Sequence, residues 1–356
     1  VNPSSKFVPA AKPSEGNREP FMAKRRSSSR GRRKMAKMQP AVTDLSFKTT
    51  PAVAGISHLW YVDTARALSR ANRRGYSQSR MYAYQGLTFI WKQNAAALAT
   101  LEVKVATAGN TWVVHNAHVK GHALWNQMNE LVLEDNPSIQ GKWADYKIQL
   151  SDSVSDVRTL DVLDGAGTAY KAGEWDSAKY VMPQHDVDTT VPGIGTPLPA
   201  VELTAVMIGG DTATKRSLVQ AYQESRATVQ PVDPNVPAGL STSFFNLLTD
   251  SGSQEPELAD VIEEANDNPP YDTDEYPGSS TNADVACIVG YGAISPQEVD
   301  GRIGGFVAPC GLVEIQIKGF DAVGNAIDDD AMPEIELLLH VAPGMYKGVA
   351  SVPMGQ

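Results

Sequence analysis

At 356 residues, with 42% apolar and 20% charged side chains, the chain has a globular composition, and no apolar run approaches the roughly 18–20 residues of a membrane span. Its two cysteines, Cys287 and Cys310, exclude a disulfide framework and show no C-x-x-C spacing, which fits a reducing compartment. The formal net charge of −10 conceals a partition: residues 1–40 hold 11 Lys and Arg against 2 Asp and Glu, a balance of +9 that leaves −19 for the rest.

Residues 1–21 are polar, rich in Pro, Ser and Lys, and without periodicity, so they are expected to be disordered. Met22 has the look of a natural start, which makes 1–21 an expected upstream extension, and no secretory leader is expected. Residues 22–44 form an arginine-rich arm, with Lys24, Arg25, Arg26, Arg30, Arg32, Arg33, Lys34 and Lys37 unaccompanied by any acid over 22–38. Nothing in it offers a packable face. Such an arm stays mobile until it meets a polyanion, whose phosphates its side chains neutralise with release of counterions. Arginine adds a fork that matches two phosphate oxygens. The same run fits a nuclear import signal, and its blandest reading is a solvated tail.

The remaining body, 45–356, begins with Leu59, Val62, Ala65 and Leu68 near helical spacing, which predicts a helix over 58–73. A second basic set lies there: Arg66, Arg70, Arg73, Arg74 and Arg80, interleaved with Trp60, Tyr61, Tyr76, Tyr82 and Tyr84. Arginines with aromatic rings suit unpaired bases, although a surface helix with core tyrosines gives the same pattern.

Further on, the dominant period is two. Leu101, Val103 and Val105, then Tyr146, Ile148 and Leu150, then Val313, Ile315 and Ile317, and last Ile335, Leu337, Leu339 and Val341 each predict one apolar strand face. Weaker runs over 86–91, 111–115, 154–163, 201–208 and 285–289 predict further strands. Helices are predicted at 214–227, with Asp211 or Thr212 as its cap, and at 256–265. Long Pro, Gly and Asp-rich stretches (183–199, 229–243, 266–283) separate the elements. Eight to ten strands with long loops and a few short helices predict an all-β protein, an antiparallel β-sandwich of jelly-roll type.

Catalytic chemistry finds no signature. His115, His118 and His122 would align on a helix, but 111–115 reads as strand and no cysteine or carboxylate nearby completes a metal site. The acids Asp272, Asp274, Glu275 and Asp328 to Asp330 lack calcium-loop spacing. The stretch 209–217 has no glycine before Lys215, so the phosphate-cradling turn is excluded, and no G-x-S-x-G elbow occurs. Cys287 and Cys310 are expected as buried thiols. No enzyme, metal or cofactor is expected.

The segment Pro333-Glu334-Ile335-Glu336-Leu337-Leu338-Leu339-His340-Val341-Ala342-Pro343-Gly344-Met345-Tyr346-Lys347-Gly348-Val349-Ala350 is a buried-face strand ended by a Pro-Gly turn. It resembles the ending of coat proteins of small circular single-stranded DNA viruses that encode a replication initiator, especially the divergent gut-associated members. The arginine-rich start at Met22 and Gly305-Phe306-Val307-Ala308-Pro309-Cys310-Gly311-Leu312 are similar to the same group. The likeness covers the two ends of the chain and not its middle. It implies a single jelly roll, icosahedral self-assembly into a virion, an inward arm on single-stranded DNA, and assembly in the host nucleus with the import machinery as a partner. It brings no catalytic residues. The alternatives left open are an RNA-virus coat protein and a non-viral nucleic-acid-binding β-rich protein.

Overall fold

A computed structural model describes residues 40–49, 59–91, 98–140, 145–185, 197–226, 278, 286–295, 298–327 and 334–355, all within the unit Met38–Gln356. The arm at 22–38, the predicted helix at 256–265, the loop 229–243, and the acids Asp272, Asp274, Glu275 and Asp328 to Asp330 lie outside the described residues.

The chain is mostly β. Strands β1 (Asp44–Lys48), β12 (Ile335–Val341) and β3 (Arg80–Trp91) lie side by side and antiparallel. Leu45 sits opposite Leu339, and Leu339 opposite Leu87. The far side of β3 is taken by β9 (Asp300–Ile303) and β10 (Phe306–Ala308); after the short β13 (Pro343–Tyr346), β14 (Ser351–Pro353) pairs with the beginning of β3. A second antiparallel sheet runs β2 (Leu59–Asp63), β11 (Leu312–Phe320), β4 (Thr100–Thr107), β8 (Cys287–Ile294). The pairing is nested: β1 with β12, β2 with β11, β3 with β9 and β10, β4 with β8.

The period-two residues explain why the sheets pack. Leu45, Phe47, Leu87, Phe89, Trp91, Leu337 and Leu339 from the first sheet share one core with Val62, Leu101, Val103, Val105, Ile315 and Ile317 from the second. Each such side chain, fully buried, contributes about 1.5–3 kcal/mol.

Between β4 and β8 the chain leaves the sandwich and builds a second core on the outer face of the second sheet. It supplies α2 (Trp112–Asp135), the run at 145–154, a small sheet of β5 (Lys179–His185), β6 (Pro197–Val206) and β7 (Lys215–Ser217), and α3 (Leu218–Arg226), while Leu160 and Val162 return to the first core. Val114, Ala117, Tyr146, Ile148, Leu150, Met207 and Val219 pack there against Tyr61, Ala106 and Leu312 of the strands. β6 and β7 pair in parallel, an exception to the antiparallel rule.

Several sequence expectations are corrected. The helix expected over 58–73 begins only at Thr64, as α1 (Thr64–Asn72); residues 59–63 form β2, and Asp63 caps the helix by accepting from the Arg66 amide at 3.0 Å. The strand expected at 111–115 is the first turn of α2. Thr111 accepts from the Val114 amide at 3.3 Å, and buried Val113, Val114, Ala117, His118 and Gly121 follow helical spacing, so cap and burial outweigh β-branched propensity. The helix expected at 214–227 starts at Leu218 because 215–217 pair with β6. Asp211 and Thr212 instead serve the preceding turn, accepting from the amides of Ser217 and of Thr214 and Lys215. Residues 146–150 bury the expected face, yet around Gln149 the ladder reduces to an isolated bridge to Val206. The run 154–163 likewise makes only isolated bridges.

One backbone position is set by close approach. Between β3 and β12 the register shifts, with Gly86 opposite His340 and Tyr84 opposite Val341. Gly86 has φ 152°, and a Cβ there would lie 2.3 Å from the Ile303 carbonyl oxygen. Gly86→Ala is expected to cost about 1–3 kcal/mol and lower the melting temperature. Gly304→Ala, which meets open space, serves as the control. Equal melting of both variants would contradict the reading.

Candidate nucleic-acid interface

The eight basic residues of the arm, Lys24 to Lys37, lie outside the described residues, so the geometry concerns the second basic set. α1 packs Ala65, Ala67 and Leu68 inward and carries Arg66, Arg70 and Arg73 at i, i+4 and i+7. Beneath it, Asp63 is half-buried, its carboxylate turned to internal donors. Besides capping the helix, its carboxylate accepts from Gln78 Nε2 and Trp175 Nε1, each at 2.7 Å. Burial raises its pKa, and these three donors hold the rise back.

Arg66 and Arg70 both donate to Asp161 Oδ1, at 2.7 and 2.5 Å. Two of the five arginines in this set are therefore already paired with a carboxylate. Arg73 ends the helix in the left-handed region and, with Arg74, is exposed. Opposite them stands the loop 164–175, turned by Asp164, which accepts from the amides of Ala166 and Thr168 at 2.9 Å. Together they line a cleft of about 900 Å³ that includes Lys171, Tyr170, Trp175 and Glu174.

The aromatic half of the expectation is corrected. Trp60, Tyr61, Tyr76, Tyr82 and Tyr84 are all buried, filling the cores and closing internal hydrogen bonds such as Tyr82 to the Ser77 carbonyl at 2.7 Å. Arg80 is half-buried and engaged within the chain, donating to Ser351 at 2.8 and 3.0 Å over the Tyr346 ring. The rings that do flank the α1 arginines are Tyr170 and Trp175, from about a hundred residues downstream, and no spacing signal links the two segments. Lys215 of the excluded glycine stretch donates to the carbonyls of Asp152 (2.5 Å) and Val154 (3.0 Å), and Arg216 pairs with Asp211.

His115, His118 and His122 do share a helix, contrary to the strand expectation, and the helix packs them against the second core. His115 Nδ1 accepts from the Gly355 amide at 3.0 Å, which leaves Nε2 to donate to Asn110 Oδ1 at 2.8 Å. His122 stacks on Tyr146. His118 is 1% exposed with both ring nitrogens unpartnered. Among the described residues no three His, Cys, Asp or Glu side chains converge as metal ligands. Cys310 is buried, with its thiol pushed up by desolvation, whereas Cys287 is only partly covered, against the expectation of two buried thiols.

Burial, aided by His122 and His115, pulls the His118 pKa from 6.5 down to about 3. Between these values the unfolded chain takes up a proton that the folded chain refuses, so acidification removes stability across that window, by an amount on the order of a few kcal/mol. His118→Leu, which removes two unpartnered nitrogens, is expected to raise the melting temperature more at pH 5 than at pH 8. An equal effect at both values would contradict it.

No family model, no curated protein and no solved structure matches this chain.

Proposed function

We propose that the chain is a coat protein that builds a closed shell from its own copies and packages nucleic acid with its basic arm. The observation that carries this is the nested strand pairing, β1 with β12 inward to β4 with β8, in two sheets that share one core. It is the pattern of one long hairpin rolled on itself, and it supports reading the sandwich as a jelly roll. Strand order β1-β12-β3 with β9 and β10 in one sheet, and β2-β11-β4-β8 in the other, supports the same reading. The resemblance of both chain ends to coat proteins of small circular single-stranded DNA viruses supports the assignment to a virion.

The charge partition gives the mechanism. An arm of dense positive charge neutralises phosphates in a sequence-independent, salt-sensitive way. The acidic remainder repels them, so the polyanion is held at the arm alone. Single-stranded DNA is the proposed cargo, and the arm doubles as the signal for nuclear entry before assembly. Repeated contacts between identical surfaces then close the shell.

Electron microscopy of the expressed protein is expected to show uniform particles. Deleting residues 1–38 is expected to leave a folded, β-rich body while strongly lowering the nucleic acid recovered in particles. Monodisperse single subunits under every assembly condition would refute the shell, and equal nucleic acid in truncated and full-length particles would refute the arm's role. Nuclease sensitivity of the extracted cargo separates DNA from RNA.

A further inference from the structure

The second half of α2 is held by the body of its own chain on one side only, where His122 stacks on Tyr146 and Trp125 and Met128 pack against the second core. Up to Gly121 the helix buries Val113, Val114, Ala117 and His118, but no residue from His122 to Asp135 is buried. Leu124, Leu131 and Val132 are 47%, 63% and 48% exposed, and they stand at i, i+7 and i+8, one apolar face left uncovered. A helical stretch of this length is marginal in water by itself.

Its charge is as unbalanced as its surface. No Lys or Arg occurs between Lys120 and Lys142, whereas Glu130, Glu134 and Asp135 crowd the last turns. Three carboxylates then add to the negative end of the helix dipole, where cations are favoured. Among the described residues none of the three forms an ion pair. The end of α2 thus presents apolar side chains beside negative charge, and its complement is an apolar surface beside positive charge.

That complement exists elsewhere on the same chain. The cleft beside α1 offers Tyr170 and Trp175 as apolar walls, with Arg73 and Lys171 exposed at its rim. Within one chain α2 packs on α3, β5 and the turn at 137–139. We propose that the distal half of α2 docks into the arginine-lined cleft of a second copy. This rests on the shell reading and names two of the surfaces that would meet. Because the two surfaces differ, the contact is heterologous: each copy gives its helix to one neighbour and receives another's, which closes rings where the rotation permits. A nucleic-acid strand is the weaker occupant of the cleft. Asp161 already pairs with Arg66 and Arg70, so the cationic rim is short, which suits the few carboxylates of a helix end better than the long run of phosphates of a strand.

The test is a charge exchange in the full chain. Glu130→Lys with Glu134→Lys and Asp135→Lys, and separately Arg73→Glu with Lys171→Glu, are each expected to raise the concentration for half-assembly about tenfold or more. A chain carrying both sets is expected to recover assembly, read by light scattering. In parallel, a Leu131→Cys chain is mixed with an Arg73→Cys chain and a short bismaleimide; a cross-link in the mixture, absent from either chain alone, reports the contact without requiring particles. Wild-type assembly by both single sets, or failure of the combined set to recover, overturns the proposal. So does a cleft reversal that weakens binding of a thymidine oligonucleotide while leaving assembly intact. If no particles form yet the 131–73 cross-link does, the docking stands and the shell reading falls. If particles form without that cross-link, the shell reading stands and the docking falls.

Discussion

The two ends of the chain hold each other's edges. β1 has β12 as its partner and β2 has β11, so neither early strand has a ladder until the late ones arrive. Thr49 and Ile335, 286 residues apart, exchange hydrogen bonds at the close of the first pair. Everything else follows from this closure. It brings the two apolar faces together, it sets β4 beside β8, and so it leaves the long segment between them attached at two neighbouring points. That segment can then fold as a second layer without disturbing the sandwich that carries it.

This arrangement explains what could be read from the residues and what could not. β4, β11 and β12 were legible because each has its apolar side chains at period two against one core. β2 was not, because both of its faces are buried: Trp60 and Val62 turn to the first core and Tyr61 to the second, which erases the alternation. Glu314 misleads in the same way. It looks like the solvent side of β11, yet it is 4% exposed beneath the second layer, hydrogen-bonded by Gln316 at 2.8 Å, and burial raises its pKa. α2 was hidden by its valines. Local propensity favoured a strand, and only the cap from Thr111 together with a surface contributed by distant residues makes the helix the better solution. The strand order itself has no local signature.

The cleft beside α1 follows the same logic. The arginines were visible as a helical series, but their neutralisation by Asp161 and their aromatic neighbours Tyr170 and Trp175 depend on a loop folded back from far along the chain. Asp63 ties these parts together: one half-buried carboxylate caps α1 and anchors Trp175 and Gln78. It also opposes the histidines in its response to acid. Carboxylates whose pKa values are raised by burial, Asp63, Asp145 and Glu314, bind protons more tightly when folded, while His115, His118 and His122 bind them less tightly.

The mutual dependence of early and late strands also sets a schedule during synthesis. At about 5–20 residues per second, β1 and β2 emerge tens of seconds before β11 and β12. Throughout that interval their backbone edges are open to any passing strand, including those of neighbouring nascent chains on the same message. A chaperone that shields unpaired edges during this delay would therefore govern how much correctly closed subunit a cell yields.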